Sequence, residues 1–401
     1  MATPRPVEPP VPPEVECALL WSTPGLREAE VVRLRELLNA RLDWTRVLGI
    51  LAVHRTTGVA WHNTLVHLIA ERGALCPTYL FKTLEVSYKG QQVMAGEQLE
   101  YTLELLSALD EQDVPAAVLK GGAVARMAYP SLGMRLFNDN DLLVDHVRLA
   151  DVAGILKRLG YEQGSWDYAS GRVRPARRSD IMLFPISSHQ THPHQRPTPR
   201  ALTLECHRLD VHFSVDLLTS DRRDGVVADL LSRRIRLGDP PLWSLDPTDM
   251  FVFCCAHFAK EAMYHGEVVR LKDLVLYKLV DLVALLSAAD YPVDTTALAS
   301  RSIELGLEDQ VYYSLFHTAQ LFPDRVPAGL LDTLRPADDR YLHEVSDDTG
   351  KVYRWTTPVM ERFFDIQRLA CLTADRVDAP RWGGRRPAGS ASSATSRSAG
   401  H

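Results

Sequence analysis

Two aspartates, Asp139 and Asp141, run straight into the apolar residues Leu142, Leu143 and Val144. Side chains alternate faces along an extended strand, so carboxylates at i and i+2 point the same way. Two like charges held side by side are costly unless a cation neutralises them. The apolar run behind them predicts a buried strand that cannot be rearranged cheaply. Upstream, Val118 and Leu119 form a second apolar stretch that breaks into Lys120, Gly121 and Gly122. A paired-acid strand beside a strand ending in two glycines is the sequence pattern of a metal-dependent site that handles nucleotides.

A third acid completes such a site, and two candidates lie on an extended stretch from Ala201 to Leu217. Leu209, Val211, Phe213 and Val215 alternate with Asp210, His212 and Ser214, which pins the register around Asp210. Glu205 lies on a less regular part of the same stretch. Asp210 is the preferred third ligand, with Glu205 and Asp216 left as alternatives. Three carboxylates suit Mg²⁺ or Mn²⁺, hard ions that take oxygen donors. Gly121 and Gly122 let backbone N–H groups approach phosphates at the start of a helix. Lys120 adds a compact point charge, and Arg135 is a second candidate phosphate ligand. His212, His257 and Lys260 are candidates for contact with the nucleotide or for base chemistry.

The order of elements around these residues is strand, helix, strand, helix: residues 115–119, a helix from Gly121 toward Tyr129, the acidic strand, and a helix over 147–159 capped by Gly160. Before it, helical periodicity runs from Glu28 to about Leu84 with breaks near Gly58 and Gly73 to Pro77, and a longer helix spans about Tyr79 to Leu109. Between Tyr161 and Arg200 the pattern is lost. Arg172, Arg174, Arg177 and Arg178 precede an expected strand at Ile181 to Phe184, and His189, His192 and His194 sit in an expected polar, Pro-rich loop, with transition-metal binding as the alternative. From Asp246 the chain is helical again through Phe322. His257, Glu261 and His265 are spaced to share a helix face, but the acid is misplaced for a zinc-protease motif. Asp273 is read as a link between helix and core, with a substrate role as the alternative.

At 401 residues the chain is long enough for two or three domains. The expected division is a disordered lead-in (1–14), an N-terminal helical region (15–85), a core (86–220), a C-terminal helical region (221–345), a helical extension (346–382) and a disordered tail (383–401). The formal net charge of −6 argues against a nucleic-acid backbone as main partner. No signal-peptide core or membrane-length apolar run is present. Six scattered cysteines without a C-x-x-C pair fit a reducing cytoplasm.

Leu119, Lys120, Gly121 and Gly122, followed by Arg135, Asp139 and Asp141 with their apolar run, resemble the uncharacterised nucleotidyltransferase family of the DNA polymerase beta-like superfamily. Leu209 to Phe213, His257, and Arg270 to Leu274 extend the resemblance, and Leu42 to Trp44 does so more loosely, over roughly residues 40–325. Two features depart from it: Asn140 stands where an apolar residue is usual, and the stretch 161–200 has no clear counterpart. The resemblance implies an α+β fold with an α/β core, a nucleotidyltransferase-type mixed sheet between N- and C-terminal helical regions. It implies Asp139, Asp141 and Asp210 as Mg²⁺ ligands and Gly121 and Gly122 at the triphosphate. The expected activity is transfer of an NMP group from an NTP to an unidentified acceptor with release of pyrophosphate. The alternative is a catalytically silent nucleotide-binding or regulatory protein.

Overall fold

The computed structural model describes residues 11–69, 77–186, 188–215, 225–327 and 329–377. At its centre is an eight-stranded mixed sheet with the order β4-β3-β5-β6-β2-β1-β8-β7. The strands are β1 (Ala116–Leu119), β2 (Asn140–Val144), β3 (Glu162–Asp167), β4 (Arg172–Pro175), β5 (His194–Pro197), β6 (Cys206–His212), β7 (Ile235–Leu237) and β8 (Leu242–Ser244). β2 is central, antiparallel to β1 and parallel to β6. All five of its residues are buried, as a strand covered on both faces requires.

Three of these strands, β3, β4 and β5, come from the stretch 161–200, where the sequence has no strand pattern. They extend the sheet outward from β6 by antiparallel pairing. β3 carries Glu162, Gln163 and Ser165 and is mostly half-buried or exposed, so no apolar alternation marks it. The strand expected at Ile181 to Phe184 is instead a helix, Arg178–Leu183, followed by a 3₁₀ turn. Of the described residues in the expected extended stretch 201–217, only 206–212 are strand; 216 and 217 lie outside them. β7 and β8 join the sheet from beyond residue 220, so the core is not confined to 86–220.

The long helix Thr78–Asp110 crosses the face formed by Asn140, His207 and Leu209. Thr102 Oγ1 of that helix donates to Asn140 Oδ1 at 3.2 Å and contacts His207 Nε2 at 3.1 Å. Gln98 Oε1 accepts from Asn140 Nδ2 at 2.7 Å. Asn140 therefore sits in a satisfied buried polar network, which accounts for the departure at this position. The opposite face, carrying Asp141, Asp210 and His212, is roofed by the helix Pro247–Met263, whose Phe253 ring meets His212 edge-on at 6.2 Å.

The N-terminal region forms its own apolar cluster from Cys17 to Leu84. A helix, Pro13–Trp21, begins inside the expected lead-in, with proline at its first turn; residues 1–10 lie outside the described residues. Gly58 is not a break but lies inside the helix Thr57–Asn63. A Cβ there would sit 2.1 Å from the Gly133 carbonyl oxygen, so the glycine permits close approach of two backbones. The break falls at residues 54–56. The expected helical extension is chiefly a second sheet of β9 (Glu344–Ser346), β10 (Lys351–Trp355) and β11 (Leu372–Val377), with one short helix, Val359–Phe364. The expected tail, 383–401, lies outside the described residues. No helix among the described residues is long and apolar enough to cross a membrane.

Candidate active site

Parallel pairing of β2 with β6 sets Asp141 directly opposite Asp210. Neighbours in register share a face, so the two carboxylates look out together beneath the roof helix. Asp139 precedes β2 and is exposed at its mouth. Its charge acts on both Lys120 and Asp210. Glu205 is exposed before β6, where its Oε2 accepts from Trp166 Nε1 at 3.3 Å. Asp216 lies outside the described residues. Of the third-acid candidates that are described, Asp210 is the one in register with Asp141.

The charge balance of this group is uneven. Lys120 Nζ lies 3.1 Å from Asp141 Oδ2, and His212 Nε2 lies 2.7 Å from Asp141 Oδ1. Burial disfavours the Asp141 carboxylate, but Lys120 and then His212 outweigh it and hold its carboxyl well below the usual range. Burial likewise opposes the Lys120 ammonium, yet Asp141, Asp139 and Glu261 hold it above its ordinary value. Among the described residues, Asp210 has no such partner. It is 7% exposed, and its Oδ1 is buried with no hydrogen-bond partner. Burial, and then repulsion from Asp141, push its carboxyl up to about 6.

Lys120 ends β1 with φ +46° and ψ −138°, a backbone region that side-chain-bearing residues rarely adopt. The turn delivers Gly121 and Gly122 into the first turn of the helix Gly121–Ala128, where N–H groups lack helical acceptors. Both glycines are buried. A Cβ on Gly121 would meet the Phe137 ring at 3.3 Å and the Asp139 carbonyl at 3.4 Å, and one on Gly122 would meet Leu99 at 2.9 Å. Their small size therefore seats the helix against the acidic strand and the long helix.

From the roof, His257 and Lys260 face the same space. Burial and the charges of Lys120, Lys278 and Lys260 keep His257 neutral. Its Nδ1 lies 3.6 Å from Glu261 Oε2, and Glu261 is also paired with Lys278. Burial and Lys120 lower the Lys260 ammonium, with Glu261 opposing. The roof helix stops at Met263. His265 thus leaves the His257 face and stacks on Tyr353 at 4.4 Å.

Arg135, expected at a phosphate, is engaged elsewhere. Its guanidinium is buried, with Nε bonded to both Asp281 carboxylate oxygens at 2.8 and 2.9 Å, and it lies 4.4 Å over the Tyr277 ring. Asp273 is the expected structural link, fully buried and bonded by Arg368 at 2.5 and 3.1 Å. His189 was read as part of a loop but belongs to the site, with its ring 5.1 Å from that of His212. His194 lies in β5 and is buried. The sequence signal for His189 was only its place in a histidine cluster.

Among the described residues, no group of three His, Cys, Asp or Glu side chains is already converged on a metal position. The donor chemistry nevertheless fits a hard divalent cation. The acids offer only oxygen, and the orphaned Asp210 Oδ1 beside Asp141 is an acceptor that suits such an ion. A family model described as "Uncharacterised nucleotidyltransferase" matches residues 40–323. No curated protein matches the chain.

Proposed function

The chain belongs to the uncharacterised nucleotidyltransferase family, and we propose that it moves an NMP group from an NTP to an acceptor and releases pyrophosphate. The observation that carries this reading is the buried, unpartnered Asp210 Oδ1 in register with Asp141. Asp139, Asp141 and Asp210 would hold Mg²⁺ or Mn²⁺. When bound, the ion supplies positive charge for the triphosphate and the reacting oxygens. Lys120 Nζ, 3.1 Å from Asp141 Oδ2, would offer its charge to a phosphate. Lys260, a desolvated cation beside Lys120, gains an anionic partner in the same step. His212 fixes the Asp141 carboxylate through Nε2, and Gly121 and Gly122 turn first-turn N–H groups toward the phosphates. The roof helix, with His257 and Phe253, excludes water from that face.

An acceptor oxygen or nitrogen forms a bond to the α-phosphorus and the bond to the bridging β-phosphate oxygen breaks. The electron pair leaves with pyrophosphate, and the acceptor proton goes to solvent. The net charge of −6 favours a small molecule, peptide or protein acceptor over RNA.

The test is pyrophosphate release from each of the four NTPs with Mg²⁺ and a host-extract fraction as acceptor source. Wild type is expected to release pyrophosphate, and Asp141→Asn and Asp210→Asn to lose at least about a hundredfold. Equal release by the variants would refute the site. A second reading, a silent nucleotide-binding protein, is favoured by the Lys120 to Asp141 pair that already neutralises one acid. It predicts that NTPs raise the melting temperature while pyrophosphate never forms.

A further inference from the structure

The stretch 161–200 does more than widen the sheet. Just before β5 its backbone pairs along the C-terminal end of β6, where Thr191 N donates to the Val211 carbonyl at 2.9 Å and Phe213 N donates to the His189 carbonyl at 3.0 Å. A bridge between Gln190 and His212 continues the ladder. These bonds fix the His189 backbone beside the end of the strand that carries Asp210 and His212. The His189 ring lies over His212, which is itself held by Asp141. The surroundings of His189 are cationic: besides burial, the charges of Lys260 and Lys120 keep it neutral. A neutral imidazole carries one N–H donor and adds no further charge to this cluster. A group of two lysines and neutral imidazole donors on one side of paired acids is built for a polyanion.

We infer that His189 is a nucleotide-binding residue, donating a hydrogen bond to the triphosphate of the NTP from a strap that the stretch 161–200 lays across the site. This rests on the nucleotidyltransferase reading and assigns the stretch a part in it. The strap and the roof helix then grip the triphosphate from two sides, opposite the floor of acids.

Titration calorimetry of the full chain tests this with Mg²⁺ and each of the four NTPs, and separately with inorganic tripolyphosphate, for wild type, His189→Ala and His189→Gln. Wild type is expected to bind at least one NTP. His189→Ala is expected to weaken that NTP and tripolyphosphate alike by about tenfold or more, the loss of one hydrogen bond to a charged group. His189→Gln, which keeps a donor, should recover most of the affinity. Unchanged melting temperatures without ligand would show that both variants fold. If wild type binds an NTP and His189→Ala binds it equally well, His189 is not a triphosphate ligand and the wider reading stands. A loss for the NTP but not for tripolyphosphate overturns the assignment to phosphate. If wild type binds none of the four NTPs, the nucleotidyltransferase reading falls and takes this inference with it.

Discussion

Lys120 holds two costs at once. Its backbone has a positive φ, worth on the order of 1–3 kcal/mol of strain, and its ammonium is buried against Asp141. The pair is tolerated because each charge neutralises the other in a place neither could occupy alone. Lys120→Met should therefore destabilise the metal-free protein by about 3–5 kcal/mol, the cost of leaving Asp141 buried with only His212. Mg²⁺ should recover part of the loss, since a cation at the acids replaces the missing one. Thermal unfolding in EDTA and in Mg²⁺ checks this, with a larger Mg²⁺-induced rise expected for the variant than for wild type. Equal rises would mean that the ion does not engage Asp141. At this scale the sequence was informative where chemistry is local. The alternation around Asp210 announced its face, and the i, i+2 spacing announced Asp141. The engagement of Arg135 was not legible, because its partner, Asp281, is 146 residues away and no local pattern joins them. His189 was missed because its place depends on backbone pairing with β6, which a Pro-rich stretch does not advertise.

Elements were legible where an apolar pattern or a cap marks them. The long helix Thr78–Asp110, β1, and the helix ending before Gly160 follow from periodicity and capping. The edge strand β4 and its neighbour β3 were not legible, since strands that are mostly exposed or half-buried need no apolar alternation. The interface between the long helix and the sheet makes a measurable prediction through His207. Its Nδ1 is 2.9 Å from the Tyr161 hydroxyl and its Nε2 meets Thr102. Burial, helped by Arg196, lowers it to about 3 in the folded chain, against about 6.5 unfolded. Between these values the unfolded chain binds one more proton. The contribution of His207 to stability is thus complete above about pH 6.5 and falls as pH drops toward the folded value, by up to about 1.4 kcal/mol per pH unit. Urea unfolding of wild type and His207→Gln over this window should show wild type ahead near neutrality, with the gap narrowing at about that slope. A gap that does not change with pH would mean that His207 is charged in the folded chain.

For the whole molecule, the family match ends at residue 323, yet the packing does not. Tyr341, Leu342, Val359 and Phe363 belong to the same apolar cluster as the sheet and the roof helix. Arg368 reaches back to Asp273, and its charge together with burial keeps the nearby His54 neutral, with a value lowered to about 4. His54 Nδ1 in turn accepts from Leu276 N at 3.0 Å, next to Tyr277, whose ring lies beneath Arg135. The segment after 323 is therefore built into the support of the helix that carries Asp281, not attached beside it. Truncation after Pro323 should leave Asp273 buried without its cation, at a cost of about 3–5 kcal/mol, and uncover Phe363's packing partners for about 2 kcal/mol more. Against a total stability of about 5–15 kcal/mol, the shortened chain should be aggregated or should melt at least about 10 °C below the full chain. Arg368→Met in the full chain separates the two contributions, since it removes the cation and keeps the apolar contacts, and should show roughly the ion-pair share alone. Soluble yield and melting temperature of the three proteins decide the matter. A truncated chain that melts with the full one would make residues 324–377 an independent unit, and the buried Asp273 to Arg368 pair would then carry no net stability.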